Sequence, residues 1–150
     1  MAGQSLWKLC DRTKSEGLLE EVRTAIAQGT DVNEPDNYQS HGSEKTPLLW
    51  ALFWGHHDVA LELLDHPEID VNRYDSAGYN ALHFAMFLDQ HKCTDSAAQI
   101  CRITEVLLAR QDRASINFVT VCSETPLMAA IRCSAVNFIP LMLASPLLRL

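Results

Sequence analysis

Residues 46–72, TPLLWALFWGHHDVALELLDHPEIDVN, carry a pattern that returns along the rest of the chain. Thr46 and Pro47 form a strong helix start, because the threonine hydroxyl caps free backbone N–H groups and proline loses no hydrogen bond at the first helical position. An apolar run follows, Gly55 and a histidine interrupt it, and a second helical run leads to a closing Asp-Val-Asn. The stretch therefore predicts a hairpin of two short helices, which cannot bury its apolar face alone.

The opening and closing motifs of this hairpin return at regular places. The Thr-Pro-Leu at residue 46 is matched by Asn-Ala-Leu at residue 80 and by Thr-Pro-Leu at residue 125. Asp-Val-Asn ends at residues 33 and 72, and Ser-Ile-Asn ends at residue 117. A period of this size is the mark of repeat architectures, in which stacked neighbours share one continuous core.

Taken together, TPLLWA, NALHFA, TPLMAA, the Gly-His break and the Asp-Val-Asn endings resemble the ankyrin repeat. The unit of that family is a β-turn followed by two antiparallel helices, with a period of about 33 residues. The family's Thr-Pro-Leu-His is complete nowhere, since Leu49 and Met128 replace the histidine and only His83 keeps it. The resemblance implies an all-α ankyrin-repeat solenoid of about four stacked helix-turn-helix units with β-turn tips.

We therefore predict a single ankyrin-repeat domain over the whole chain. Its units are a capping unit at about 5–33, a second at 34–72, a third at 73–117 with an insertion near 89–98, and a last, incomplete or C-terminal unit at 118–150.

Three irregular segments carry separate expectations. The connection 33–45 is longer than its equivalents and is either a solvated loop or a binding finger that uses Tyr38 and His41. The insertion near 89–98 is either an extension of the first helix or a protruding loop. Pro140 delays the start of the last helix to about residues 138–139, because proline is tolerated only in the first turn. The apolar end of the chain is a poor solubilising cap and indicates a fragment of a longer repeat protein.

Composition excludes several functional classes. The formal net charge of −7 argues against a general nucleic-acid binder, which needs a basic face. No apolar run approaches the roughly 20 residues of a membrane span, and the first ten residues contain no signal-peptide core. Five cysteines without CxxC pairs suit a reducing compartment. We expect a soluble, cytoplasmic protein, with the nucleus or delivery into a host cell left open.

The resemblance also indicates where a partner would bind. In ankyrin repeats the first helices and the β-turn tips line a concave surface, and the solvent-facing positions follow the apolar core of each first helix. Large exposed apolar patches usually mark interaction sites. The predicted partner-binding residues are Phe53, Trp54, Tyr74, Tyr79, Phe87, Leu88, Val119, Val121 and Arg132.

An alternative is that the insertion in the third unit folds back and covers the aromatic residues of this surface. Trp50 and Phe84 lie one helical turn earlier than the predicted surface positions, and we expect both in the core.

Motifs for catalysis, cofactors and metals are absent from the sequence. It contains no Gly-rich phosphate loop, HExxH or GxSxG, and no Cys-His-Asn arrangement. His56 and His57 are adjacent and point in different directions on a helix, and His91, Cys93 and Cys101 lack a fourth ligand. We predict no catalytic, cofactor-binding or metal-binding residue.

One asparagine is a candidate for modification. Asn72 follows Asp-Val, with a leucine eight residues before it. It resembles the ankyrin asparagines that an asparaginyl hydroxylase modifies, while a purely structural role in bridging loop and turn backbone is the alternative.

The sequence thus predicts a non-catalytic, monomeric protein-binding module whose acidic surface favours a partner with basic patches. One alternative is a targeting segment of a larger enzyme or secreted effector whose activity lies outside this chain. Another is a small enzyme or metalloprotein.

Overall fold

The computed structural model describes residues 5–11, 13, 16–39, 43–88, 97–110 and 113–148. In that part of the chain the extended pairing is one isolated antiparallel bridge, between Tyr74 and Asn80. The predicted all-α fold is confirmed. The helices are α1 Leu6–Cys10, α2 Leu18–Ala27, α3 Pro47–Trp54, α4 His57–Asp65, α5 Ala81–Leu88, α6 Ala97–Arg110, α7 Arg113–Ile116, α8 Pro126–Arg132 and α9 Phe138–Leu143.

The helices form pairs that stack side by side. The pairs are α1 with α2, α3 with α4, α5 with α6 and α8 with α9. The first helices α1, α3, α5 and α8 pack on one another in sequence, and α2, α4, α6 and α9 form a second row. Each hairpin therefore buries its apolar faces against its neighbours in the stack, as in a solenoid.

The helix starts follow from the sequence motifs. The hydroxyls of Thr46 and Thr125 each accept a hydrogen bond from the backbone amide three residues further on, at 3.4 and 3.3 Å. At the start of α5, the side-chain oxygen of Asn80 accepts from the amides two and three residues on, at 3.1 and 3.2 Å. Asn80 therefore replaces the capping threonine in the third unit.

The core runs through the stack between the two rows of helices. Residues 81–86 of α5 are all buried, because this helix has neighbours on both sides. Trp50 and Phe84 are buried, as predicted. In α6, Ile103 and Leu107 are fully buried and Val106 is partly buried.

The second, third and last units each have a β-turn finger ahead of the first helix; the fingers start at Asp36, Asp75 and Thr120 and end at Lys45, Tyr79 and Glu124. The first residue of each finger donates its backbone N–H to the carbonyl of the last, at 2.9, 3.0 and 3.0 Å. Neighbouring fingers are joined by N–H···O=C bonds from Ser76 to Ser43 (2.9 Å) and from Val121 to Ala77 (3.1 Å). The fingers therefore stack in the same order as the helices.

The last helix starts where the sequence predicts. Helix α9 begins at Phe138, so Pro140 lies in its first turn, as predicted. Arg110 is the last residue of α6, and its guanidinium donates to the Leu64 carbonyl at the end of α4. Residues 89–96 of the predicted insertion, and His41, lie outside the described residues.

Candidate functional site

Helix α3 presents a group of aromatic side chains toward the fingers. Trp50, Phe53 and Trp54 are spaced i, i+3 and i+4, which places them on one face of the helix. The Phe53 ring centroid lies 5.8 Å from Trp50, 5.0 Å from Trp54 and 6.0 Å from Phe84 in α5. All three contacts are close to perpendicular, the edge-to-face arrangement that aromatic pairs favour.

The ring contacts continue beyond α3 in both directions. Tyr38 in the first finger lies 6.1 Å from Trp50 and 5.2 Å from Trp7 in α1. At the other end, Tyr79 lies 5.9 Å from Phe84. The connected set crosses three units, and we call it the aromatic row: Trp7, Tyr38, Trp50, Phe53, Trp54, Tyr79 and Phe84.

Only part of the aromatic row faces solvent. Tyr38 is exposed, and Phe53 keeps 36% of its accessible surface. Trp54 and Tyr79 are half-buried and pack against the core. The sequence placed Phe53 and Trp54 together in solvent, whereas the structure turns Trp54 partly inward.

The carboxylate of Asp11 holds two of these rings in place. It accepts the Tyr38 hydroxyl at 2.6 Å and the Trp54 indole N–H at 3.1 Å. The hydrogen bond to Asp11 raises the pKa of Tyr38, because the donor form is the protonated phenol. The long connection is thus packed onto α1 and α3 through Tyr38.

A second carboxylate, that of Asp36, holds the first finger together through hydrogen bonds. Asp36 is buried and accepts four hydrogen bonds. Its Oδ1 accepts from the amides of Tyr38 (3.0 Å) and Glu44 (3.1 Å), and its Oδ2 accepts from the Lys45 amide (3.0 Å) and the Trp50 indole N–H (3.0 Å). A buried charge needs such saturation, because an unpaired one is very costly.

Lys45 links the second unit to the third. Its ammonium lies 3.3 Å from Asp75 Oδ2 and within 5.1 and 5.8 Å of the ring centroids of Trp50 and Phe84. The other oxygen of Asp75 accepts from the amides of Ala77 (3.0 Å) and Tyr79 (2.9 Å). Lys45 therefore packs against two buried rings of the row, Trp50 and Phe84, and ties them to the second finger through Asp75.

The β-turn tips form a separate apolar area. Tyr74 stacks on Phe118, with centroids 4.7 Å apart and planes 20° apart. Tyr74, Val119 and Val121 are exposed. Tyr74 therefore belongs to the tips, and Tyr79 rather than Tyr74 continues the aromatic row. Ala77, on the same finger, is buried.

Arg132 lies at the end of the site, in the last unit. Its guanidinium donates to both carboxylate oxygens of Glu124, at 2.7 and 3.2 Å, and this pair lowers the pKa of Glu124. Burial raises the pKa of the neighbouring Tyr79. An open hollow of about 410 Å³ lies here, and its lining residues are Tyr79, Cys122, Ser123, Glu124, Met128 and Arg132.

Phe87 and Leu88 lie in the last turn of α5. Their side chains fall outside the described part, as does the segment that follows them. Their role as surface residues stays a prediction, and so does the alternative that the insertion covers them.

His83 is the histidine of the incomplete family motif, and it connects two units. In the neutral ring Nε2 donates to the Glu124 carbonyl oxygen at 3.2 Å, and Nδ1 accepts from the Asn80 backbone amide at 3.3 Å. The ring is fully buried, and this burial lowers its pKa to about 4. The neutral ring therefore serves as a structural bridge from the third unit to the last.

The closing asparagines bridge neighbouring loops. The Asn33 side chain donates to the Glu68 carbonyl and accepts from the Asp70 amide, both at 2.8 Å, and Asn117 donates to the Leu147 carbonyl at 3.0 Å. Asn72 has the same place in its unit and is half-buried, and its backbone N–H donates to Asp70 Oδ1 at 3.0 Å. Its hydroxylation stays a prediction.

The candidate metal ligands that the structure describes do not form a metal-binding group. Among the described residues no group of three or more His, Cys, Asp or Glu side chains could hold a metal ion. His56 is buried at the start of α4. His91 and Cys93 lie outside the described part.

Several residues of the site were missed by the sequence analysis, namely Trp7, Asp11, Asp36, Lys45, Asp75 and Phe118. A signal existed for the two buried carboxylates. Asp75 and Thr120 each lie five residues before the residue that caps the first helix of their unit. Asp36 lies ten residues before Thr46, and the difference is the five extra residues of its finger. No comparable signal marks Asp11, because it acts through partners 27 and 43 residues away.

Comparison with known proteins agrees with this geometry. A family model for ankyrin repeats (3 copies) matches residues 12–99, which is more than half of the chain. Among curated proteins no match was found. In the part of the chain that the structure describes, no helix has the length and apolarity needed to cross a membrane. With its repeated capped hairpins, its stacked fingers and this match, the chain belongs to the ankyrin-repeat family.

Proposed function

We propose that this chain is a non-catalytic interaction module that binds a partner protein along the aromatic row and the β-turn tips. Ankyrin repeats are generally protein–protein interaction modules, and this coarser role applies to the chain as a member of the family. The observation that carries the finer proposal is the group of partly exposed rings, Tyr38, Phe53, Trp54 and Tyr79, held in a connected row across three units.

The fixed orientation of these rings supports a binding role. Asp11 anchors Tyr38 and Trp54, and edge-to-face contacts hold Phe53 on three sides. Side chains that are already ordered lose little conformational entropy when a partner arrives, so more of the contact energy appears as affinity. Aromatic residues are also the commonest binding hot spots.

The tips and the end of the site extend the proposed surface. Tyr74, Val119 and Val121 supply exposed apolar area on the β-turn tips, and Arg132 supplies a charged group beside Tyr79. Phe87 and Leu88 belong to the same proposal by their position after the core of α5.

Charge favours a particular kind of partner. The chain carries a formal net charge of −7. Two lysines lie against rings of the row: Lys45 is buried in an ion pair with Asp75, and Lys8 is exposed, 5.3 Å from the Trp7 ring centroid. We therefore infer an apolar partner segment flanked by basic side chains, whose association would be accelerated by electrostatic attraction.

A reducing compartment such as the cytoplasm is part of the proposal. Cys101 and Cys122 are free thiols in the structure. Free thiols, including the exposed Cys122, persist where glutathione and thioredoxin keep them reduced.

The proposal is tested by replacing Phe53. The immobilised chain is incubated with cell lysate, and captured proteins are quantified by mass spectrometry for the wild type and for Phe53→Ala. We expect capture of the specific partner to fall by about tenfold or more, the effect of losing at least about 1.4 kcal/mol of binding free energy.

Leu108→Ala is the matched control. Leu108 is a half-buried apolar residue that lies on α6, in the second row of helices. Its replacement should leave capture unchanged, with both variants checked for folding by circular dichroism. If Phe53→Ala is folded and captures the same proteins in the same amounts as Leu108→Ala, the aromatic row is not the binding surface.

A further inference from the structure

Tyr38 is an exposed tyrosine whose hydroxyl is held by a carboxylate. It lies in the first finger, and 45% of its surface is accessible. Its hydroxyl donates to Asp11 Oδ2 at 2.6 Å, and its ring makes edge-to-face contacts with Trp7 in α1 and Trp50 in α3, at centroid distances of 5.2 and 6.1 Å. One side chain therefore joins the first finger to two helices.

The backbone around Tyr38 has no regular structure. Residues 34–39 form neither helix nor strand, and the first finger is five residues longer than the other two. An enzyme that modifies a side chain has to draw the neighbouring residues into its active site as well. This local opening costs less in a loop segment than in a helix or a paired strand.

The other two tyrosines of the chain are held more firmly. Tyr74 is 54% exposed, but its ring stacks on Phe118 and its backbone forms the isolated antiparallel bridge. Tyr79 is half-buried, and its carbonyl accepts the backbone N–H that closes the second finger, at 3.0 Å. Tyr38 is therefore the tyrosine that combines an exposed ring with an irregular backbone.

The sequence before Tyr38 is acidic. Glu34 and Asp36 lie four and two residues before it, whereas Tyr74 directly follows Arg73. Charge patterns around the accepting hydroxyl are one of the means by which kinases distinguish substrates. The acidic residues and the net charge of −7 therefore favour approach by a kinase with a basic substrate groove.

We propose that Tyr38 is a phosphorylation site for a protein tyrosine kinase and that the phosphate group releases the first finger from α1 and α3. In the transfer, a bond forms between Tyr38 Oη and the γ-phosphorus of ATP, and the bond from that phosphorus to the bridging oxygen of ADP breaks. The hydroxyl proton passes to the catalytic aspartate of the kinase. The consequence for partner binding rests on the function proposed above for the aromatic row.

The phosphate group does not fit the present position of Tyr38. The modified oxygen has no proton to donate, and a group with a charge of about −1.5 to −2 would lie against the Asp11 carboxylate. Asp36 is a second negative charge near the same oxygen. Lys8 lies 5.3 Å from the Trp7 ring centroid and is exposed, and an ion pair with an exposed lysine contributes little. The repulsion therefore moves the Tyr38 ring away from both tryptophans.

The modification itself is tested on the full chain, incubated with ATP, Mg²⁺ and a panel of recombinant protein tyrosine kinases that differ in their preference for acidic substrates. Phosphopeptides are mapped by mass spectrometry. We expect about one phosphate per chain, at Tyr38, from the kinases that prefer acidic substrates. Tyr38→Phe should remove it, and the matched control Tyr74→Phe should leave it unchanged. Absence of incorporation from the whole panel, or incorporation chiefly at Tyr74 or Tyr79, overturns the proposal.

Release of the finger is measured by acrylamide quenching of tryptophan fluorescence, with circular dichroism as the check that the helices persist. Phosphorylation should make the fluorescence easier to quench, because Tyr38 leaves Trp7 and Trp50. In Asp11→Asn, which removes the opposing charge at nearly constant size, phosphorylation should increase quenching less. Unchanged quenching in the phosphorylated wild type would mean that the phosphate is accommodated in place, for instance by Lys8, and would overturn the release.

Partner capture distinguishes this proposal from the function on which it rests. We expect the phosphorylated wild type to capture the partner about tenfold less than the unmodified chain, because one ring of the aromatic row has moved. If unmodified Phe53→Ala captures normally, the proposed function fails, while the phosphate mapping and the quenching still decide whether Tyr38 is the site and whether its finger is released. If Phe53→Ala loses capture and the phosphorylated chain keeps it, the regulatory role alone is wrong.

Discussion

At the scale of single residues, His83 makes the stability of the fold depend on pH. The ring is buried between Asn80 and the Glu124 carbonyl, and the carboxylates of Glu124 and Asp75 are the charged groups near it. Burial outweighs the attraction of those carboxylates and lowers the pKa of the ring from 6.5 to about 4. The folded state therefore favours the neutral ring, while the unfolded state takes up a proton below about pH 6.5.

We predict that acidification destabilises the protein through this residue. Above pH 6.5 the ring is neutral in both states, so its contribution is fully present there. As the pH falls from 6.5 toward 4, only the unfolded state binds the proton, and up to about 3 kcal/mol of unfolding free energy is lost. Urea unfolding at pH 7 and pH 4.5 measures this loss, and His83→Gln should show a smaller one. Equal losses in the two proteins would mean that carboxylates such as Glu124 cause the pH dependence.

At the scale of elements, the β-turn fingers depend on one close approach of the backbone. Gly78 has a φ of +84°, and a Cβ placed there would lie 3.1 Å from Thr120 Cα in the next finger and 3.2 Å from the Phe118 ring. Gly29, after α2, has a similar φ of +81°, but nothing lies within 4 Å of its Cβ position. The two glycines thus separate the cost of backbone conformation from the cost of crowding a neighbour.

We predict that Gly78→Ala destabilises the fold more than Gly29→Ala. Both variants place an alanine in the left-handed region, which costs roughly 1–2 kcal/mol. Gly78→Ala also pushes the second finger away from the third, which adds about 1–3 kcal/mol, the usual cost of overpacking. Chemical denaturation of both variants gives the difference. Equal losses would show that the fingers can separate at no cost.

The elements themselves were largely predictable, because their signals are local. Thr46, Pro47 and Gly55 mark the start and end of α3 without help from the rest of the chain. Pro140 fixed the late start of α9 for the same reason. The packing of Tyr38 onto α1 and α3 was not predictable, since its partners Trp7 and Asp11 are distant in sequence and no motif marks them.

At the scale of the whole molecule, the order of units along the stack was predictable, and the composition of the candidate site was only partly so. The family register gives the positions that follow the core of each first helix, and it correctly separated the buried Trp50 and Phe84 from the partly exposed Phe53. It does not give the contacts between units. Those contacts, through Asp11 and Lys45, turn separate aromatic residues into one row.

Asp11 is a residue of the first unit that fixes the orientation of two aromatic side chains in the second unit. Its carboxylate accepts from Tyr38 of the first finger and from Trp54 at the end of α3, so its loss releases two rings at once. We predict that Asp11→Ala lowers the unfolding free energy by about 1.5–3 kcal/mol, the usual worth of hydrogen bonds to a charged group. Because the rings are no longer held, tryptophan fluorescence should become easier to quench with acrylamide, and partner capture should fall even though every ring is still present.

Asp65→Ala, which removes an exposed carboxylate at the end of α4, is the control and should change none of the three measurements. Capture that persists while quenching increases would show that the partner orders the rings by itself, and the orientation imposed by Asp11 would then have no part in binding.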